Sequence, residues 1–149
     1  MDVGCYCVHG ARMLAGEPER ALAVSVPTAG GVDGFFTGTL GFPDGVVATF
    51  HCGLHLPRQD ELEAIGDAGS AFLDDPWHCR EPLIELRRDG GVECVETPAE
   101  DPYRCELDDL GAAIEGRAEP LLGRRDAVAQ ARAVEALRRA ADRSQAVSL

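Results

Sequence analysis

The apolar residues of this chain change their period once, and that switch constrains the fold more than any short motif does. Through the centre they alternate in short runs separated by turn residues. Phe35–Phe42 and Val46–Leu56 flank Pro43-Asp44-Gly45, a turn that reads as the corner of a hairpin. Phe36, Leu40 and Phe42 fall on one face, and Val46, Ala48, Phe50, Cys52 and Leu54 fall together in their own strand. Thr37 and Thr39, then Thr49, His51 and His55, take the opposite side. One core face and one mixed, polar face is the pattern of a half-covered antiparallel sheet. Ala21–Val26 precedes this pair as a strand, and Glu61–Ile65, Ser70–Leu73, Leu83–Arg88 and Val92–Glu96 follow it. Gly66-Asp67-Ala68-Gly69 and Asp89-Gly90-Gly91 supply the intervening turns.

Beyond residue 102 the spacing becomes helical. Tyr103, Leu107, Leu110 and Ile114 recur at i, i+4, i+7 and i+11, an amphipathic helix ended by Gly116. Arg125–Arg143 is the longest helix, with Ala127, Ala131, Val134 and Ala141 expected on its inner face, and Arg138, Arg139 and Arg143 suited to its C-terminal dipole. Ala146–Leu149 reads as a closing strand. The order helix, strands, then two helices gives an α+β fold: a largely antiparallel open β-sheet with helices packed on one face, in a single domain over residues 1–149.

The first helix is expected from near Val3 to Leu14, with Asp2 as its cap and Val3, Cys7, Ala11 and Leu14 as its apolar stripe. If it starts at Asp2, Asp2 and Tyr6 share one face about a turn apart. An acid and a phenol on one helix edge form a candidate proton-handling pair. The bland alternative is that Asp2 only caps the helix and Tyr6 packs with its hydroxyl in water.

Composition excludes several classes of function. The formal net charge of −12 disfavours nucleic acid and anionic membrane surfaces as partners. All 14 basic residues are arginine, so no lysine-dependent step is carried by these residues. No apolar h-region follows a basic start, and no apolar run approaches the roughly 18 residues that span a bilayer. A soluble, cytoplasmic setting is the expectation. Among 6 cysteines there is no CxxC pair. Cys5-Tyr6-Cys7-Val8-His9 and His51-Cys52-Gly53-Leu54-His55 come nearest to metal-ligand spacing but lack further ligand pairs, so reduced thiols without a metal are expected.

The segments in order resemble the C-terminal domain of the glucose–fructose oxidoreductase/inositol dehydrogenase/rhizopine catabolism (Gfo/Idh/MocA) superfamily, in its dihydrodiol and sugar dehydrogenase branch. The likeness is carried by Asp2-Val3-Gly4-Cys5-Tyr6 running into Arg12-Met13-Leu14-Ala15-Gly16-Glu17-Pro18, and by Gly31-Val32-Asp33 before a strand ending Phe42-Pro43-Asp44-Gly45. Ile65-Gly66-Asp67-Ala68-Gly69-Ser70, Tyr103 through Ile114-Glu115-Gly116, and Gly123-Arg124-Arg125-Asp126-Ala127 complete it. No one piece is specific; the order and spacing together are.

The resemblance implies a domain that supplies much of a substrate pocket and an open sheet used for self-association. It implies that Asp2 and Tyr6 lie in that pocket, Tyr6 as proton donor or acceptor on a substrate hydroxyl or carbonyl and Asp2 as the orienting acid. The family's other domain carries a glycine-rich turn for NAD or NADP and a Glu-Lys-Pro segment whose lysine assists proton transfer. Neither feature occurs in this sequence. The expectation is therefore a truncated gene product or one half of a split enzyme, inactive alone and binding no dinucleotide by itself. Its partners would be a further copy of itself, a separate Rossmann-domain chain, and a sugar, cyclitol or dihydrodiol substrate. The competing reading is a non-catalytic small-molecule-binding or dimerisation module. His9, Arg12, His51, His55 and Trp77 are further pocket candidates, each with a surface or packing role as its plainer alternative.

Overall fold

A computed structural model describes residues 1–149. The chain forms two compact units, Met1–Pro57 with Arg124–Leu149, and Arg58–Gly123. In place of the one open sheet expected, the strands divide into two four-stranded antiparallel sheets. The α+β class is as expected.

In the first unit, α1 (Gly4–Ala15), β1 (Arg20–Pro27), β2 (Asp33–Gly41), β3 (Val47–Gly53), α3 (Arg124–Arg143) and β8 (Val147–Ser148) build a sheet of order β3-β2-β1-β8. The hairpin registers Gly38 against Phe50 and Leu40 against Ala48. Its corner is a 3₁₀ turn, Pro43–Gly45, in which Asp44 and Gly45 both take positive φ. Alternation then selects the inner face. Ala21, Ala23, Phe36 and Leu40 are buried with Val8 and Ala11 of α1 and Ala133, Ala136, Leu137 and Ala140 of α3. Burying a side chain such as Leu40, Leu137 or Val8 contributes about 1.5–3 kcal/mol. The Phe36 and Phe50 rings stack with centroids 6.2 Å apart.

Two helical faces differ from expectation. In α1 the buried positions are Gly4, Val8, Gly10, Ala11 and Arg12, while Val3 and Leu14 are exposed. Small residues allow the closest approach there, and an arginine takes a place that an apolar pattern cannot assign. In α3 the core face runs through Ala133, Ala136, Leu137 and Ala140, leaving Ala127 and Ala131 exposed. Alanine surrounds this helix, so the leucine decides which side faces the sheet.

The outer face of the same sheet is less polar than the hairpin alone suggested. Thr37, Thr39, Thr49 and His51 are there as expected. Leu22, Val24 and Val26 of β1 join them through the pairs Leu22–Thr39, Val24–Thr37 and Val26–Phe35, and all three are about half exposed. The sequence of β1 is apolar on both sides and gave no sign of which would face out.

The second unit is a meander, β4 (Glu61–Gly66), β5 (Gly69–Asp74), β6 (Leu83–Arg88) and β7 (Gly91–Glu96), followed by α2 (Pro102–Ile114). Gly69 is required at its turn. Its φ is 135°, and a Cβ there would lie 2.1 Å from the Arg87 carbonyl oxygen. On one face Arg87 lies over the Phe72 ring at 4.3 Å and pairs with Glu85 at 2.8 Å and Glu63 at 3.3 Å. The register places Leu62, Ala64, Ala71, Leu73, Ile84 and Leu86 on the other.

Candidate functional site

The residues at the start of α1 have a local geometry of their own. The helix begins at Gly4, with Val3 as N-cap and no side-chain capping bond, so Asp2 does not cap it. Asp2 stands one step outside, exposed, and its carbonyl oxygen accepts from the Cys5 thiol at 2.9 Å. The Tyr6 amide donates to the Val3 carbonyl at 3.4 Å, and the Tyr6 side chain is half exposed. Gly4 sets how closely this segment meets the sheet. A Cβ at Gly4 would lie 2.8 Å from the Cys52 sulfur and 2.9 Å from the Met1 sulfur, so glycine lets the helix start on β3.

Beside this start is a cavity of about 490 Å³ lined by Met1, Asp2, Val3, Val32, Asp33, Cys52, Gly53, Leu54 and Arg138. Of the two residues singled out from the sequence, Asp2 lines it and Tyr6 does not. His9, Arg12, His51, His55 and Trp77 are also outside the lining. Asp33 and Arg138 were not foreseen as site residues. The Met1 ammonium donates to the Asp33 carboxylate. That hydrogen bond holds the Asp33 carboxyl below the usual aspartate range, with the charges of the ammonium and Arg138 reinforcing it against burial. Burial pushes the Cys52 thiol up, so it is a neutral wall of the cavity. Chemically, the cavity offers the Asp2 carboxylate as an acceptor of hydroxyl hydrogen bonds, the Asp33 carboxylate already paired with the Met1 ammonium, one guanidinium, and apolar side chains. Asp33 stood in the quoted Gly31-Val32-Asp33 segment. Arg138 reached the cavity only because α3 turns that side toward it.

Arg12, offered as a pocket residue, is instead a buried tie between helices. Its guanidinium donates to Glu17 at 2.7 and 2.9 Å, to Asp126 at 2.9 Å and to Gln130 at 2.8 Å. Gln130 in turn donates to the Cys5 carbonyl at 2.8 Å, which fixes α1 beside the candidate site. The Glu17 hydrogen bond raises the Arg12 pKa against the opposing effect of burial, and the same bond lowers that of Glu17.

A second charged cluster lies within the other unit. Asp60, Asp75 and His78 bring ligand atoms within 4.8 Å of one another. Asp75 is 5% exposed and has a left-handed backbone, φ 49°. Its Oδ1 is 2.6 Å from His78 Nδ1, and Arg58 and Arg80 approach its Oδ2 at 3.2 and 3.6 Å. Burial pushes the carboxyl up, but the His78 hydrogen bond and the charges of His78, Arg80 and Arg58 outweigh it and lower the pKa. Two carboxylates facing two guanidiniums and an imidazole make an ion-pair hub with its charge already balanced. His51 and His55 do not share a strand face, because β3 ends at Gly53.

The family model for the GFO/IDH/MocA C-terminal domain matches residues 1–72, from α1 into β5. D-xylose 1-dehydrogenase (NADP(+)) 2 of Haloferax volcanii is 30% identical along 100% of this chain. Its first half thus resembles the GFO/IDH/MocA C-terminal domain, and its whole length aligns with the xylose dehydrogenase. The aligned part is 47% of that xylose dehydrogenase. Trans-1,2-dihydrobenzene-1,2-diol dehydrogenase of Oryctolagus cuniculus is 33% identical over 56% of this chain and 26% of its own length. Among solved structures, aldose-aldose oxidoreductase from Caulobacter crescentus, complexed with glycerol, superposes with a TM-score of 0.87 at 25% identity. It covers 98% of this chain and 46% of its own. The chain thus spans about half the length of these relatives or less. Asp2 and Tyr6 both lie inside the segment that matches the GFO/IDH/MocA domain.

Proposed function

We propose that these residues are the substrate-facing and self-association part of an NADP-dependent oxidoreductase acting on a hydroxyl of a sugar or a dihydrodiol. The observation that carries this reading is the end-to-end alignment with a xylose dehydrogenase, taken with Asp2 on a cavity that holds a second carboxylate. Tyr6 then exchanges a proton with the reacting hydroxyl or carbonyl oxygen, and Asp2 orients the substrate or the phenol. A proton-transfer group must come within about 2.6–3.2 Å of that oxygen, and the exposure of Tyr6 leaves it reachable.

Dinucleotide binding is assigned outside these residues. Both sheets are wholly antiparallel, and no strand–helix–strand crossover sets a helix N-terminus against a pyrophosphate. Self-association is assigned to the outer face of the first sheet, where Leu22, Val24 and Val26 form an apolar band. No helix is long and apolar enough to cross a membrane.

Purified alone, the chain should give no NADP⁺-dependent oxidation of D-xylose or a trans-dihydrodiol; measurable turnover would overturn the assignment of the cofactor elsewhere. In NMR titrations with D-xylose and with a vicinal diol, Asp2 and Tyr6 resonances should shift, and Asp2→Asn and Tyr6→Phe should weaken the response. A chain that dimerises through the sheet face but responds to neither ligand is a dimerisation module without a substrate site.

A further inference from the structure

Helix α2 is well made locally and left unpacked on its apolar side. The Asp101 side chain accepts from the Tyr103 and Arg104 amides at 2.9 and 3.3 Å, Pro102 opens the first turn, and Arg104 pairs with Asp108 at 3.6 Å. Yet Tyr103, Leu107, Leu110 and Ile114, one stripe at helical spacing, are between 53% and 76% exposed. The Leu121 amide donates to Asp109 at 3.2 Å, folding the following segment back on α2, and Leu121 and Leu122 are themselves exposed. A helix of 13 residues gains little from its own hydrogen bonds in water, and its apolar face ordinarily supplies its stability. Four large apolar side chains in one stripe along a helix are a docking surface rather than scattered exposure.

Two observations name the occupant. The relatives carry as much polypeptide again outside the part that aligns, since the match takes up 47% of the xylose dehydrogenase and 46% of the aldose-aldose oxidoreductase. The rim of the stripe is net acidic: of Glu106, Asp108, Asp109 and Glu115, only Asp108 and Glu115 are paired, with Arg104 and Arg117, in a chain of net charge −12. Two copies laid stripe to stripe would bring these carboxylates together, whereas a partner with a basic rim is attracted. We propose that the α2 stripe is the seat of the enzyme's nucleotide-binding domain, joined to this chain or separate, which meets it with an apolar groove and a basic rim. The inference rests on the oxidoreductase reading above.

The test compares the 149-residue chain with a chimera in which the nucleotide-binding portion of the Haloferax volcanii xylose dehydrogenase is placed ahead of it. Hydroxyl-radical labelling of Leu107, Leu110 and Ile114 should fall about tenfold or more in the chimera, the protection expected of an interface docked by at least about 1.4 kcal/mol. The double variant Leu107→Glu/Ile114→Glu should restore that labelling while NADP⁺ binding stays. In the isolated chain, the same variant should leave far-UV circular dichroism and Trp77 fluorescence unchanged and reduce binding of an apolar dye. Loss of the fold in the isolated variant would make the stripe part of an internal core and overturn the proposal. So would an isolated chain whose dimer is broken by these changes, because the occupant would then be a second copy. A chimera that oxidises xylose with the stripe still fully labelled refutes the docking and spares the oxidoreductase reading. A protected stripe without turnover on any sugar or diol does the reverse.

Discussion

Replacing Arg12 probes the packing of α1 on α3 that holds the candidate site in place. Its side chain is 4% exposed and makes four hydrogen bonds, to Glu17, Asp126 and Gln130. Removing one member of a fully buried ion pair costs about 3–5 kcal/mol, because the partner charge stays buried. Here the partners regain water: Glu17 is 61% and Asp126 30% exposed. Discounting for that screening, Arg12→Ala should destabilise by about 2–3 kcal/mol and Arg12→Met, which keeps the aliphatic stem packed, by about 1–2 kcal/mol. The pH dependence follows from Glu17, whose pKa is lowered by the Arg12 hydrogen bond. A lowered carboxylate pKa contributes stability that is fully present above the ordinary glutamate value of about 4.3 and is lost as pH falls through the folded-state value. The wild-type advantage over Arg12→Met should therefore be full at neutral pH and shrink below about pH 4. Urea unfolding followed by far-UV circular dichroism at several pH values measures it. An Arg12→Met chain as stable as wild type at pH 7, or a difference unchanged at pH 3, would refute the ion-pair account.

Two further substitutions test other parts of the structure. Gly38→Ala places a Cβ 2.6 Å from the Phe50 ring and 2.9 Å from Leu137, so it should cost about 1–3 kcal/mol by overpacking; an unchanged urea midpoint would mean that α3 does not lie where the structure has it. Asp75→Asn keeps a residue type that tolerates positive φ and removes the charge facing Arg58, Arg80 and His78. The lowered Asp75 pKa makes wild-type stability fall as pH drops through it, below the ordinary aspartate value of about 3.9. In Asp75→Asn that acid limb, followed by Trp77 fluorescence, should flatten; the same acid limb in both proteins would contradict the hub.

The elements were legible because each is written locally. Alternation about Pro43-Asp44-Gly45 and the glycines at 66, 69, 90 and 91 marked the strands, and Tyr103, Leu107, Leu110 and Ile114 marked α2. What local pattern could not give was the direction of a face with two apolar sides. β1 alternates alanine with larger residues, and the structure turns the alanines inward beneath α3. The same ambiguity displaced the inner faces of α1 and α3. At the candidate site, Asp2 lines the cavity but does not cap α1, because the helix starts one residue later than its spacing suggested.

The sequence by itself determined the α+β class, the order of strands and helices, and the absence of lysine from any chemistry these residues perform. Those properties depend on residue type and short-range spacing, which folding does not alter. Tertiary structure alone decided that the strands separate into two sheets and that Asp33 and Arg138 share a cavity with Asp2. It alone decided that Arg12 is spent on Asp126 and Gln130, 114 and 118 residues away. A charge carries no label for its partner in the linear chain; the partner is fixed only when packing brings distant backbone together and burial makes an unpaired charge costly.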